Sequence, residues 1–299
     1  MIDEQNDIRS SRWKAALGPL ARIVVAVVLV YGAVAVAEMV VKLLRGVLSL
    51  GGTVPAAYYF VYLIVSVLVA YFTYRAYVRL VEKRPISELS GSGAPRELGV
   101  GGLVGLGLMA VTVGVLWAFG SYGVAGASAF AVVFASLAND GAGAFVEEIL
   151  LRGVIFRITE ERLGTWIALM VSALLFALLH LGSPNATVIS TIVVGIEGGV
   201  LLSAAYVLTR RLWLAIGIHF GWDFTQDALF GVGSGTQGLM RGHLSGPTLL
   251  SGGSAGVEGS LVALLLSLGF ATYLLVQANQ RGNLISPAWN RERQTTIVR

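Results

Sequence analysis

Long apolar runs separated by short polar connectors dominate the chain. A bilayer hydrocarbon core of about 30 Å takes roughly 20 apolar residues per helix. On that criterion the pattern predicts eight spans: Ile23–Val41, Ala56–Thr73, Val100–Gly120, Ala125–Ile155, Trp166–Leu181, Thr187–Leu208, Leu212–Phe230 and Leu261–Val276. The fourth is too long for a simple crossing, which predicts a tilt, or a break near Asn139-Asp140-Gly141. Seven spans with a re-entrant piece is the alternative. Either way the expected fold is an all-α polytopic membrane protein, a bundle of about eight transmembrane helices around an intramembrane cavity. Its expected organisation is an N-terminal segment 1–22, two spans with a juxtamembrane segment over 23–99, a core over 100–276 and a tail over 277–299.

Composition removes the soluble alternatives. Of 299 residues, 56% are hydrophobic and 13% charged, with a mean hydropathy of +0.77. A soluble domain carries about 25% charged residues. The 38 glycines against 7 prolines point to close helix packing rather than disorder. Cysteine is absent, which excludes disulfides, thiolate nucleophiles and Cys-ligated metal. The first apolar stretch is full length and lacks a convincing cleavage site, so no cleaved signal is expected.

The charges sort by side. On this span assignment 17 of the 21 basic residues fall on one side of the bilayer, and Lys42, Arg45 and Arg241 on the other, with Arg152 inside a span. The positive-inside rule then places both termini in the cytoplasm of a multi-pass protein, here read as one of a prokaryotic plasma membrane. The net charge of +4 is thus a topology signal, and no nucleic-acid partner is needed. Two connectors stand out: Arg84–Glu97 (RPISELSGSGAPRE), which suits an interfacial segment or short amphipathic helix, and the Gly- and Ser-rich Gly231–Gly259, which would be external; a solvated loop is the default reading of both.

Ionisable residues at bilayer depth are costly and face a cavity or a partner. Residues 145–153 read FVEEILLRG. Glu148 and Arg152 are four apart with the acid first, the favourable order for an ion pair. Glu147, about 100° round the helix, has no such local partner. The next span ends in Phe176 and His180, which share a face. Residues 163–164 lie midway between Glu147 and His180, within the polar TEERLG turn at 159–164. In an antiparallel hairpin, residues equidistant from the turn lie at one depth, so these two can meet. His219 and Asp223 again share a face, with Asp227 continuing the stripe. Counted from its span's end, His219 sits about 10 Å deep and His180 about 20 Å, at ~1.5 Å per residue. A tilted or projecting hairpin would close that gap. Glu38 and Lys42 read as an i,i+4 pair at the membrane edge. Glu197, among Gly195, Gly198 and Gly199, reads as support for the site or a bond to a neighbouring helix.

The order E-E-x-x-x-R, F-x-x-x-H, H-x-x-x-D on successive spans resembles the CPBP intramembrane protease family, which holds the type II CAAX prenyl endopeptidases and the bacteriocin-immunity (Abi) proteins. Here the motifs are Glu147-Glu148 with Arg152, Phe176 with His180, and His219 with Asp223. The resemblance covers chiefly residues 144–223, with weaker similarity in the spans around them and in the loop carrying Gly252-Gly253 and Glu258-Gly259-Ser260. It implies a catalytic set of Glu147, Glu148, His180, His219 and Asp223, supported by Arg152, Phe176 and Glu197. One position departs: Asp223 stands where the CAAX-processing branch carries Asn. An ionised Asp accepts hydrogen bonds but cannot donate one to an oxyanion.

The implied function is intramembrane endopeptidase activity on a membrane-associated protein or peptide, prenylated or otherwise CAAX-like, with the lipid bilayer as its other partner. Glu147 assisted by His180 would activate water, and His219 with Asp223 would stabilise the oxyanion or position the water. No cofactor is required on that reading. The alternative is zinc, held by His180, His219 and the carboxylate of Glu147. No H-E-x-x-H, membrane G-x-S or paired Y-D and G-x-G-D pattern supports another intramembrane protease chemistry. A transporter or an immunity or scaffold protein is the non-enzymatic alternative, with Glu38, Glu197 and Asp227 as pieces of a charged path.

Overall fold

A computed structural model describes residues 18–48, 54–182, 186–233 and 238–291. Residues 1–17 of the expected N-terminal segment and 292–299 of the expected tail lie outside the described residues, as do 234–237 of the second connector. The helices are α1 (Pro19–Leu48), α2 (Ala56–Tyr77), α3 (Ala94–Ala118), α4 (Ala131–Glu148), α5 (Arg157–His180), α6 (Val188–Val194), α7 (Ser203–Thr209), α8 (Trp213–Phe224), α9 (Thr248–Ser251) and α10 (Leu261–Gln280). Wider π-helical turns extend α2 (Val78–Glu82), join α4 to α5 (Ile149–Phe156) and α6 to α7 (Gly195–Leu202), and extend α8 (Thr225–Phe230). Such turns are frequent at functional positions. The last three carry or adjoin Glu147, Glu197 and Asp223.

Six helical stretches among the described residues are long and apolar enough to cross a membrane: Pro19–Val47, Ala56–Glu82, Ala94–Ala118, Ala131–His180, Val188–Thr209 and Leu261–Gln280. The fourth and fifth expected spans are joined in one 50-residue stretch, and the α-helical part of α8 is only 12 residues long, so six stretches rather than eight meet that length and composition by themselves. Nor does the chain break at Asn139-Asp140-Gly141, where α4 runs through. It reverses at Gly164, whose φ of 80° and ψ of 169° suit glycine alone. The start of the expected fourth span is not helical either. Tyr122–Ala127 forms strand β1, paired antiparallel with β2 (Met240–Leu244) inside the second connector. Apolar side chains such as Leu103, Leu174 and Leu265 face outward, as a lipid-facing surface requires.

Two packing devices set the geometry of the site. In α3 and α8, Gly101 and Gly105 lie against Gly217 and Gly221 so closely that a Cβ on Gly105 would stand 2.1 Å from the Ile218 carbonyl oxygen. Small residues four apart let backbones approach in this way. Because Gly217 and Gly221 lie on the side of α8 opposite His219, this contact turns His219 inward. In α6–α7, Gly195 and Gly199 meet Ala173, while Gly198 leaves room for the Phe176 ring.

The Arg-rich end of the bundle carries a buried ionic cluster. Glu82 receives Arg157 (2.6 Å), Arg84 (2.7 Å) and Arg22. Arg84 also pairs with Glu88 at 2.6 Å, and the Tyr74 hydroxyl lies against both Glu88 and the Gly153 carbonyl. The Arg84–Glu97 connector is exposed along much of its length, as expected, but Glu88 and Leu89 are buried within it. Leu212 N–H donates to the Glu88 carbonyl (3.0 Å) and Trp213 Nε1 to the Ser90 carbonyl (2.8 Å), so the connector straps the start of α8 to α2. Burial pushes the Glu88 carboxyl up, but Arg84 and Tyr74 outweigh it and hold it below the usual carboxylate range.

Candidate active site

The hairpin at Gly164 brings distant residues level. Arg152 and Phe176 are equidistant from the turn, and the Arg152 guanidinium lies over the Phe176 ring, 5.4 Å from its centroid. The hairpin tip packs on the segment after α10: Thr165 N–H donates to Ile285 O (2.9 Å), and Ile285 N–H to Thr165 Oγ1 (2.8 Å). His180 and His219, at different counted depths, line one cavity.

Glu147 and Glu148 are neighbours in sequence with opposite surroundings. The Glu148 side chain is fully buried. Its Oε1 accepts from Arg152 Nη1 at 2.6 Å and lies 3.0 Å from His219 Nδ1. Arg152, equally buried, also donates to the Gly198 carbonyl and to Ser203 Oγ (3.4 Å), which ties α4 to the α6–α7 rod. Glu147 instead opens into a cavity, its side chain 43% exposed, with Oε2 at 3.9 Å from His219 Nε2.

His219 is held between carboxylates, with Asp223 Oδ2 3.2 Å from Nε2. His180 stacks on Phe176 at 4.6 Å, and its Nδ1 lies 2.9 Å from the Phe176 carbonyl. A carbonyl only accepts, so Nδ1 carries the proton and Nε2 is the available acceptor of the neutral ring. The cavity, about 190 Å³, is lined by Glu147, His180, His219, Asp223 and Glu197, and Phe176 forms part of its wall. All eight residues singled out in the sequence are therefore drawn together. Six line the cavity, and Glu148 and Arg152 stand behind it.

Sequence reasoning counts Asp140 among the acids at bilayer depth without assigning it to the site, and misses Gln226 and Glu258 as lining. Asp140, Gln226 and Glu258 also face the cavity, and Gln226 Nε2 donates to Glu258 Oε1 at 2.9 Å. Glu258 arrives from the supposedly solvated connector, because Gly252, Gly253 and Gly256, all with positive φ, fold that segment inward. An acid within a glycine-rich turn just ahead of an N-capping Ser260 was the available signal. Burial pushes the Glu258 carboxyl above its ordinary range and Asp223 adds to this, while the Gln226 hydrogen bond works the other way.

Among the described residues no three His, Asp or Glu side chains are disposed to hold a metal ion. Both His219 nitrogens face carboxylates, and one His180 nitrogen is engaged by Phe176.

Residues 125–225 match the family model described as type II CAAX prenyl endopeptidase Rce1-like. No curated protein and no solved structure matches the chain. The matched segment, about a third of the chain, holds the Glu147-Glu148 pair, both cavity histidines and Asp223, so the part of the chain that builds the site is similar to that family.

Proposed function

We propose that the protein is an intramembrane endopeptidase that cleaves a membrane-associated protein or peptide by glutamate- and histidine-activated water. The observation that carries this reading is the contrast between Glu147, open to the cavity beside both histidines, and Glu148, sealed behind it. Glu147 takes a proton from a water while His180 Nε2 orients it. The water oxygen bonds to the scissile carbonyl carbon, and the developing oxyanion is met by the Nε2–H of His219, shared with Asp223, while Glu148 holds Nδ1 and fixes the ring. As the C–N bond breaks, Glu147 returns the proton to the leaving amine. Asp223 serves as an acceptor for His219 rather than a donor to the oxyanion. Prenylated and other CAAX-like chains are the first substrates to try, in a multi-pass plasma-membrane protein with both termini cytoplasmic.

This scheme uses no resident metal. Peptide cleavage by the purified protein should survive a strong chelator. Complete loss of cleavage, restored by added zinc, would replace the glutamate scheme with a metal-dependent one.

A further inference from the structure

The end of the cavity away from the Arg-rich cluster has a chemistry that the hydrolysis does not use. Six carboxyl groups line the cavity, from Asp140, Glu147, Glu197, Asp223, Asp227 and Glu258, with two histidines and no Lys or Arg among them. Glu197, in the π-helical turn between α6 and α7, is 94% buried, and its Oε1 has no hydrogen-bond partner. Gln226, in the turn after α8, is 96% buried. Its Nε2 is committed to Glu258, which leaves Oε1 unpartnered as well. A buried acceptor left without a donor is unfavourable. Three separate elements thus hold acceptors at one end of one cavity, and both unpartnered atoms need N–H or O–H groups.

We propose that Glu197, Gln226 and Glu258 form a subsite for a positively charged, hydrogen-bond-donating side chain of the substrate, a lysine or an arginine near the scissile bond. Such a group answers both features together. Its N–H groups satisfy the open acceptors, and its charge offsets an acidic lining. The cavity is small, so the basic residue sits within a few residues of the bond that Glu147 attacks. The assignment rests on the protease reading and adds a substrate class to it: apolar membrane-associated chains interrupted by one basic residue.

Two fluorescent apolar peptides, identical except for one central arginine or its neutral isostere citrulline, test this by anisotropy on the full-length Glu147→Gln protein in nanodiscs. The arginine peptide should bind about tenfold more tightly. Introducing Glu197→Gln or Glu258→Gln should bring the ratio of the two affinities to within about twofold, and Gln226→Leu serves as a third variant if either fails to fold. Equal affinities on the Glu147→Gln protein, no binding of either peptide, or a ratio untouched by the folded variants would overturn the subsite. Binding is read without turnover. Discrimination between the peptides with no cleavage of either by the wild type would sink the protease reading and leave the subsite standing.

Discussion

Glu148 and Arg152, one helical turn apart, form a 2.6 Å ion pair in which neither side chain reaches solvent. The Glu148 oxygen that accepts from Arg152 also faces His219, so one buried pair fixes both the α4–α5 hairpin and the ring across the cavity. Removing one partner of a fully buried pair strands the other charge. Arg152→Met should therefore lower stability by about 3–5 kcal/mol, measured by thermal unfolding in detergent. The double variant Arg152→Met/Glu148→Gln should recover much of that loss. A single variant as stable as the wild type would contradict the pairing.

The two neighbouring glutamates should separate stability from chemistry. Glu148→Gln weakens the bond to Arg152 and should lower both melting temperature and turnover. Glu147→Gln, at an open position, should leave the melting temperature within a degree or two while turnover falls about 10²–10⁴-fold, the range of a lost general base. Matching stability losses in the two variants would count against this division.

The glycine contact of α3 and α8 predicts position-specific intolerance. Gly105→Ala puts a Cβ within 2.1 Å of the Ile218 carbonyl oxygen, and the neighbouring backbone cannot yield as a side-chain tip can. A loss of about 1–3 kcal/mol is expected from such overpacking, with a fall in activity as His219 shifts. Gly107→Ala and Gly114→Ala, where nothing lies within 4 Å, should be neutral or slightly stabilising. Comparable losses at all three positions would argue that helix propensity, not approach, governs them.

The strap beneath the site should be acid-labile. Glu88 has a carboxyl pKa held below its unfolded value, so it contributes stability that is present above the ordinary carboxylate range. That contribution is lost as pH falls from about 4.3 through the lower folded value. Glu88→Gln should flatten the acid limb of melting temperature against pH. An unchanged limb would place the acid sensitivity elsewhere.

Much of this architecture was legible in local spacing. The point midway between Glu147 and His180 coincides with the turn at Gly164, because a helical hairpin obeys a simple symmetry in sequence. The i,i+4 pairs Glu148–Arg152 and Glu38–Lys42 (3.6 Å) are equally local. What escaped depends on long-range contact. Glu88 and Glu258 sit in polar, glycine-containing connectors whose composition reads as solvated. Only Arg84 and Tyr74 in one case, and Gln226 in the other, give them partners inside the protein. The helix through Asn139-Asp140-Gly141 escaped for a related reason: α4 packs beside α8, and Asp140 faces the same acidic cavity as Asp223 and Asp227.

The most direct test is quantitative cleavage of a membrane-peptide library by purified wild type and Glu147→Gln, side by side in chelator, with the fragments identified by mass. The expected result is cleavage by the wild type at defined bonds and a rate at least about 10²-fold lower for the variant. Equal cleavage by the two proteins, or none by either, would contradict the assignment of Glu147 as the base of an intramembrane peptidase.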